Sequence, residues 1–145
     1  MTLTEGSISM SSATITVLRG DGVGPEVTTQ ALRVLRAVET MYGHSFVIRQ
    51  GLVGMDSIKS EGVAISDATF EMCAQSDAIL FGAVGGLPKT QGGPRPEHAL
   101  FRLRKEFDFF ANLRPIRPSE PMYRSSPVKP EHLAGTDMIF VRELS

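Results

Sequence analysis

Residues 13–27, ATITVLRGDGVGPEV, decide the fold class of this 145-residue chain. Ala13 to Leu18 is a β-branched run that favours an extended strand. Gly20, Gly22 and Gly24 follow at once, and glycine at alternate positions demands a tight turn with close backbone approach. From Pro25 the residues Val27, Ala31, Val34, Leu35, Val38 and Met41 hold helical spacing up to Tyr42, with Gly43 as the stop. Strand, glycine turn and helix are the opening of an α/β unit. The turn is not a dinucleotide fingerprint. That motif needs glycine at position 25, where Pro25 stands, and an acidic residue about twenty positions on at the end of a second strand. A Walker loop fails for lack of Gly-Lys-Ser/Thr.

Working outward, Ser45 to Gln50 reads as a second strand, and the region from Gly51 to Ile65 as irregular, with Gly54 and Gly62 as breakers. Ser66 is placed to cap a short helix over Asp67–Gln75. Ala78 to Val84, AILFGAV, is nearly all apolar, as expected of the central strand of a parallel sheet buried on both faces. Gly85 and Gly86 end it, and Leu87 to Pro94 reads as loop. Ligands of open α/β sheets bind at the carboxyl ends of the strands, which puts the cleft at this loop.

The loop leads into residues 95–118, RPEHALFRLRKEFDFFANLRPIRP. Pro96 and Glu97 suit the first turn of a helix, where a missing N–H costs nothing and the dipole favours an acid. Helical spacing places Glu97, Leu100 and Arg104 on one face and Ala99, Leu103 and Phe107 on another. Ala111 to Arg114 reads as extended, closed by Pro115, so Arg114 comes from a different element than Arg104. Two such guanidinium groups facing one cleft would grip a small dicarboxylate through paired charge-assisted bonds, with Leu100 meeting an apolar substituent. The competing reading makes Arg102, Arg104 and Lys105 a solvated helix face with partners such as Glu106.

Beyond Arg114, five further prolines (Pro115, Pro118, Pro121, Pro127 and Pro130) exclude a long helix and give an extended connection. Asp137 to Val141 is another apolar strand, with Arg142 and Glu143 at its carboxyl end. Read as a strand of a parallel sheet, it calls for a crossover helix to cover it, so a chain ending at Ser145 reads as incomplete.

Apolar residues make up 41% and charged residues 21%, values of an ordinary globular protein. The net charge of −1, with no basic stripe interleaved with aromatics, gives no support to nucleic-acid binding. No run approaches the roughly eighteen apolar residues of a membrane span. Cys73 stands alone, which excludes an internal disulfide and reads as a buried small hydrophobe. Residues 1–13 carry no arginine, lysine or continuous apolar run, so they read as a loose, disordered polar tail rather than a targeting segment. His44, His98 and His132 are scattered singly and read as surface or packing residues; His98 stands out because it lies within the arginine helix.

The stretches ITVLRGDGVGPEV, DAILFGAVGG, RPEHALFRLRKEFDFFANLRPIRP and DMIFVREL resemble, in order and separation, the amino-terminal part of the isocitrate and isopropylmalate dehydrogenase family. The similarity runs from about Thr14 to Leu144. It implies an α/β fold with a mostly parallel sheet flanked by helices. An incomplete first, cofactor-side lobe would occupy residues 14–109, and the start of a truncated second lobe residues 110–145. The implied activity is NAD-dependent oxidative decarboxylation of a substituted malate, assisted by Mg2+ or Mn2+, in a cytoplasmic homodimer without nucleic-acid or membrane partners.

On the matching motifs, Arg104, Arg114 and Arg142 would bind the malate carboxylates and Leu100 would line the alkyl pocket. Val23, Gly86 and Glu97 would lie on the cofactor side. The resemblance puts the catalytic lysine and tyrosine and the metal-binding aspartates outside this chain, which then carries no catalytic residue or metal ligand and is expected to be inactive alone. Isocitrate-specific members generally carry Ser and Asn six and four residues before the first of these arginines, and His98 and Leu100 stand here. A carboxylate against leucine is penalised, whereas an alkyl contact is favourable, which favours isopropylmalate or another alkylmalate over isocitrate; the resemblance implies 3-isopropylmalate and leucine biosynthesis. A sibling acting on D-malate, tartrate, homoisocitrate or isocitrate is the near alternative, and a truncated non-catalytic binding or regulatory subunit is the alternative of another class.

Overall fold

A computed structural model describes residues 12–86 and 93–144. The polar tail lies outside these residues except for Ser12 and Ala13, which already belong to the first strand, and most of the expected 87–94 loop also lies outside them. The chain forms two compact units, Met1–Arg102 and Leu103–Ser145.

In the first unit, β1 (Ser12–Gly20) lies between β2 (Ser45–Gly51) and β3 (Ala78–Ala83), all parallel. The register runs from Ser12 opposite Ser45 to Leu18 opposite Gly51, and from Ile15 opposite Ala78 to Gly20 opposite Ala83. Ile15, Thr16, Val17 and Leu18 are all buried, so β1 is covered on both faces and is the central strand among those described. β3, expected in the centre, takes an edge of this sheet and none of its residues is fully buried. An apolar run by itself does not fix a strand's place in the strand order.

Thr16 is polar and fully buried, and its hydroxyl is satisfied by Met72 O at 3.2 Å and Ser76 Oγ at 2.7 Å. Asp77 pins the entry to β3, its carboxylate accepting from Thr14 N at 2.7 Å and its own N–H donating to Thr14 O at 2.9 Å.

The helix α1 (Gly24–Tyr42) starts at the glycine turn with Pro25 in its first turn. It ends at Gly43, whose φ of 70° lets its N–H reach Glu39 O at 2.9 Å. The stretch expected to be irregular contains a two-turn helix, α2 (Met55–Glu61). Gly54 and Gly62, read as breakers, flank it, both with φ of 77°. These glycines mark its limits because only they tolerate the left-handed backbone there. In α3 (Asp67–Ala74) the Ser66 hydroxyl accepts from Thr69 N at 3.3 Å, the expected cap.

The helix α4 (His98–Glu106) follows in the chain, and in the second unit β4 (Ala111–Ile116) pairs antiparallel with β5 (Met138–Glu143). Two single turns, α5 (Glu120–Tyr123) and α6 (Pro130–Leu133), interrupt the proline-rich connection. β5 therefore closes an antiparallel ribbon, not the parallel sheet expected of it, and Arg142 and Glu143 lie within the strand rather than beyond it. Pro115 sits inside β4 rather than ending the extended segment. A two-stranded ribbon tolerates it, because each strand has a free edge where a missing N–H costs nothing.

Cys73 is 2% exposed, and burial pushes its thiol up to about 11 from an ordinary value of 9.0. The folded chain thus holds this proton more tightly than the unfolded one, so the stabilisation is present below pH 9 and lost as pH rises through 11. The expected loss is about 2 to 3 kcal/mol of unfolding free energy. Urea titrations at pH 8 and pH 11 will show it as a component of the alkaline decline that Cys73→Ala lacks.

Candidate functional site

At the carboxyl edge of the parallel sheet the chain leaves β1 and β2 through three-residue loops and β3 through a longer connection, described in part. The β1 loop closes with Gly24 N donating to Asp21 O at 2.8 Å, which leaves Val23 at the start of α1 and 56% exposed. The β3 loop carries Gly86, exposed and with φ of 152°. Glu97 turns its carboxylate toward this loop, with Oε1 3.8 Å from the position of a Cβ on Gly85. Gly86, Arg95, Glu97, His98 and Phe101 line one hollow of about 410 Å³. Two of the three positions assigned to the cofactor side share this hollow; Val23 belongs to the neighbouring β1 loop and is not part of its wall.

The helix α4 begins two residues later than its sequence signals. Three-residue turns lead into it, with His98 N donating to Arg95 O at 3.0 Å and Ala99 N to Pro96 O at 3.2 Å. Ala99 and Leu103 are buried, as the packing face requires, and Glu97, Leu100 and Arg104 on the other face are each half-buried. His98 is exposed, and its Nδ1 accepts from Arg95 N at 3.3 Å, so it serves the helix entry as well as the hollow.

Arg102 has a role the spacing did not reveal. Its Nη2 meets Asp67 Oδ1 at 2.7 Å, its Nη1 donates to Ile65 O at 3.3 Å, and its guanidinium carbon lies 4.8 Å from the centroid of the Phe70 ring. The bond spans 35 positions of sequence, which no local spacing rule can anticipate. An acid in the first turn of α3 and an aromatic one turn on were the only signals.

In the second unit, Arg104 occupies the last turn of α4, where a cation suits the helix dipole. The backbone then turns through Asp108, at φ of 51°, with Phe109 N donating to Arg104 O at 2.9 Å. In the ribbon Asn112 lies opposite Arg142, and Arg114 opposite Phe140. Residues directly opposite share a face, so Asn112, Arg114, Arg142 and Phe140 project from the same side. Arg114 and Arg142 are diagonal neighbours, about 7 to 8 Å apart along such a diagonal. Arg114 Nε donates to Asn112 Oδ1 at 2.9 Å. Glu143 belongs to the opposite face, so the ribbon strands place two guanidinium groups and no carboxylate on this one. Such a surface attracts an anion with paired oxygens.

Among the described residues no group of three or more His, Cys, Asp or Glu could hold a metal ion. No helix among them is long and apolar enough to cross a membrane.

A parallel α/β unit with its loops at the carboxyl edge, followed in the chain by a helix and an antiparallel ribbon, defines an α/β protein. The comparisons make this specific: residues 14–145 match the model of the isocitrate/isopropylmalate dehydrogenase family, and the chain belongs to that family. It is 49% identical over 134 residues to the 3-isopropylmalate dehydrogenase of Aquifex aeolicus, a match covering 90% of this chain and 36% of that protein. With the 3-isopropylmalate dehydrogenase of Geobacillus kaustophilus it shares 43% over 139 residues, covering 94% and 37%. The crystal structure of a beta-decarboxylating dehydrogenase from Thermococcus kodakarensis, in apo form, superposes with a TM-score of 0.67 at 33% identity, covering 91% of this chain and 34% of that one. The chain thus spans little more than a third of the length of the relatives it matches.

Replacing Arg102 with Met removes its hydrogen bonds and the ring contact together. The expected cost is about 1 to 2 kcal/mol of unfolding free energy, since exposed pairs contribute little and a cation over a ring about 0.5 to 1 kcal/mol. Asp67→Asn should cost less than half of that, and urea midpoints of the two variants check the order.

Proposed function

We propose that this chain works as part of an NAD-dependent β-decarboxylating dehydrogenase that acts on 3-isopropylmalate in leucine biosynthesis. The observation that carries the reading is the carboxylate-free ribbon face bearing Arg114 and Arg142. In this reading those two side chains and Arg104 together hold the two malate carboxylates through charge-assisted hydrogen bonds. Leu100, one helical turn before Arg104, meets the alkyl substituent. An acid at that contact would lack a partner, which favours an alkylmalate over isocitrate.

On the cofactor side, Gly86 leaves the wall of the hollow open, and Glu97 and Arg95 offer an acceptor and a donor around the exposed Phe101 ring. These groups suit an aromatic amide such as nicotinamide, with Val23 at the neighbouring loop. NAD, when bound, accepts the hydride from the carbon bearing the substrate hydroxyl. Mg2+ or Mn2+ completes the proposed cofactor set, with its ligands expected, by resemblance, outside this chain. A cytoplasmic homodimer is the working form proposed, in keeping with the family resemblance.

The test is an assay of the active enzyme containing this sequence, with NAD and Mg2+, against 3-isopropylmalate, D-malate, tartrate, homoisocitrate and isocitrate. Oxidation of 3-isopropylmalate should be preferred, and Arg114→Met should raise KM for it by about ten- to a hundredfold, the worth of a charge-assisted pair. Preference for an unsubstituted or carboxylate-bearing malate would reject the alkyl contact at Leu100. The 145-residue chain assayed alone should show no turnover.

A further inference from the structure

The glycine turn after β1 carries an acid, Asp21, that takes no part in the proposed ligand contacts. The residue is half-buried. Oδ1 accepts from Met55 N at 2.7 Å, in the first turn of α2, and Oδ2 accepts from Gly85 N at 3.1 Å, in the loop after β3. Its backbone joins the same arrangement, with Asp21 N donating to Ala83 O at 2.6 Å. One side chain thereby ties together the loops that follow β1, β2 and β3. Gly54 is the residue that lets it do so, because a Cβ there would overlap the Asp21 carboxylate.

We infer that Asp21 is a positioning residue that fixes the Gly85–Gly86 loop, and with it the wall of the Gly86–Glu97 hollow, against the first turn of α2. The inference deepens the proposed function and rests on it for the identity of the ligand, but the clamp itself is a property of this chain. An ionised carboxylate presents two acceptors to two amides. Asparagine presents one acceptor and one donor, so at most one amide keeps its partner. Lengthening the arm in Asp21→Glu keeps the charge and misplaces both oxygens, so charge alone does not restore the geometry.

Two measurements test the clamp. The first is amide hydrogen exchange on the 145-residue chain. In Asp21→Asn, exchange at Gly85 or Met55 should accelerate about tenfold, the worth of one bond to a charged group, while Val17 in the core keeps its wild-type rate. Gly54→Ala, which displaces the same carboxylate from the other side, should act on the same two amides. Unchanged exchange at both amides overturns the inference, as does a uniform acceleration that includes Val17. The second is steady-state kinetics of the active enzyme containing this sequence, where Asp21→Asn should raise KM for NAD about tenfold and leave kcat and KM for the alkylmalate within about twofold. Equal losses toward both substrates overturn the positioning role. If the wild-type enzyme oxidises no malate, the dehydrogenase reading fails, and the exchange measurement still decides the clamp.

Discussion

The carbonyl oxygen of Arg19, near the end of β1, occupies a gap that only glycine leaves open. A Cβ on Gly24, at the start of α1, would collide with it, and so would a Cβ on Gly82 in β3. The strand, the helix that returns over it and its neighbouring strand therefore meet at van der Waals distance around one backbone atom. Thr28 fills the remaining space, 2% exposed, with its hydroxyl donating to Gly24 O at 2.8 Å. Because β1, α1 and β3 cannot separate without opening a void there, the loops that follow β1 and β3 start from fixed points. Everything assigned to the cofactor side is built on those loops.

The arginines show how one residue type is put to different uses by its surroundings. Arg102 spends its donors on Ile65 O and Asp67 and lies over Phe70, which fastens α4 to the start of α3. Arg114 and Arg142 stand on a ribbon face that supplies an amide oxygen and no acid. Arg117, just beyond the ribbon, is paired with Asp137 at 2.7 Å. A guanidinium paired with a carboxylate is partly neutralised, so the ribbon pair suits the proposed anionic ligand better than Arg117 does.

Much of the first unit was legible in its residues, for reasons that are local. The β-branched run, the alternating glycines and the helical spacing after Pro25 each act within a few positions, and strand, turn and helix follow them. The face of α4 that buries Ala99 and Leu103 was legible for the same reason. Where a local signal has two meanings the reading went astray. Gly54 and Gly62 break a helix or bound one, and only the positive φ at both shows that they bound α2. Pro96 and Glu97 mark a helix start, yet the first bonds there are three-residue turns and α4 becomes regular at His98.

Local periodicity and turn chemistry determined the α/β class, the element types around the glycine turn and, through motif resemblance, the candidate ligand residues. They could not determine partnerships, because these depend on contacts between positions far apart in the chain. Which strand lies in the middle, that β5 runs antiparallel to β4, that Arg102 reaches Asp67 and that Asp21 holds Met55 and Gly85 were all decided by tertiary structure. The physical reason is common to these cases. A hydrogen bond or a buried side chain is fixed by what surrounds it in space, and the same residue with the same neighbours in sequence is compatible with several such surroundings.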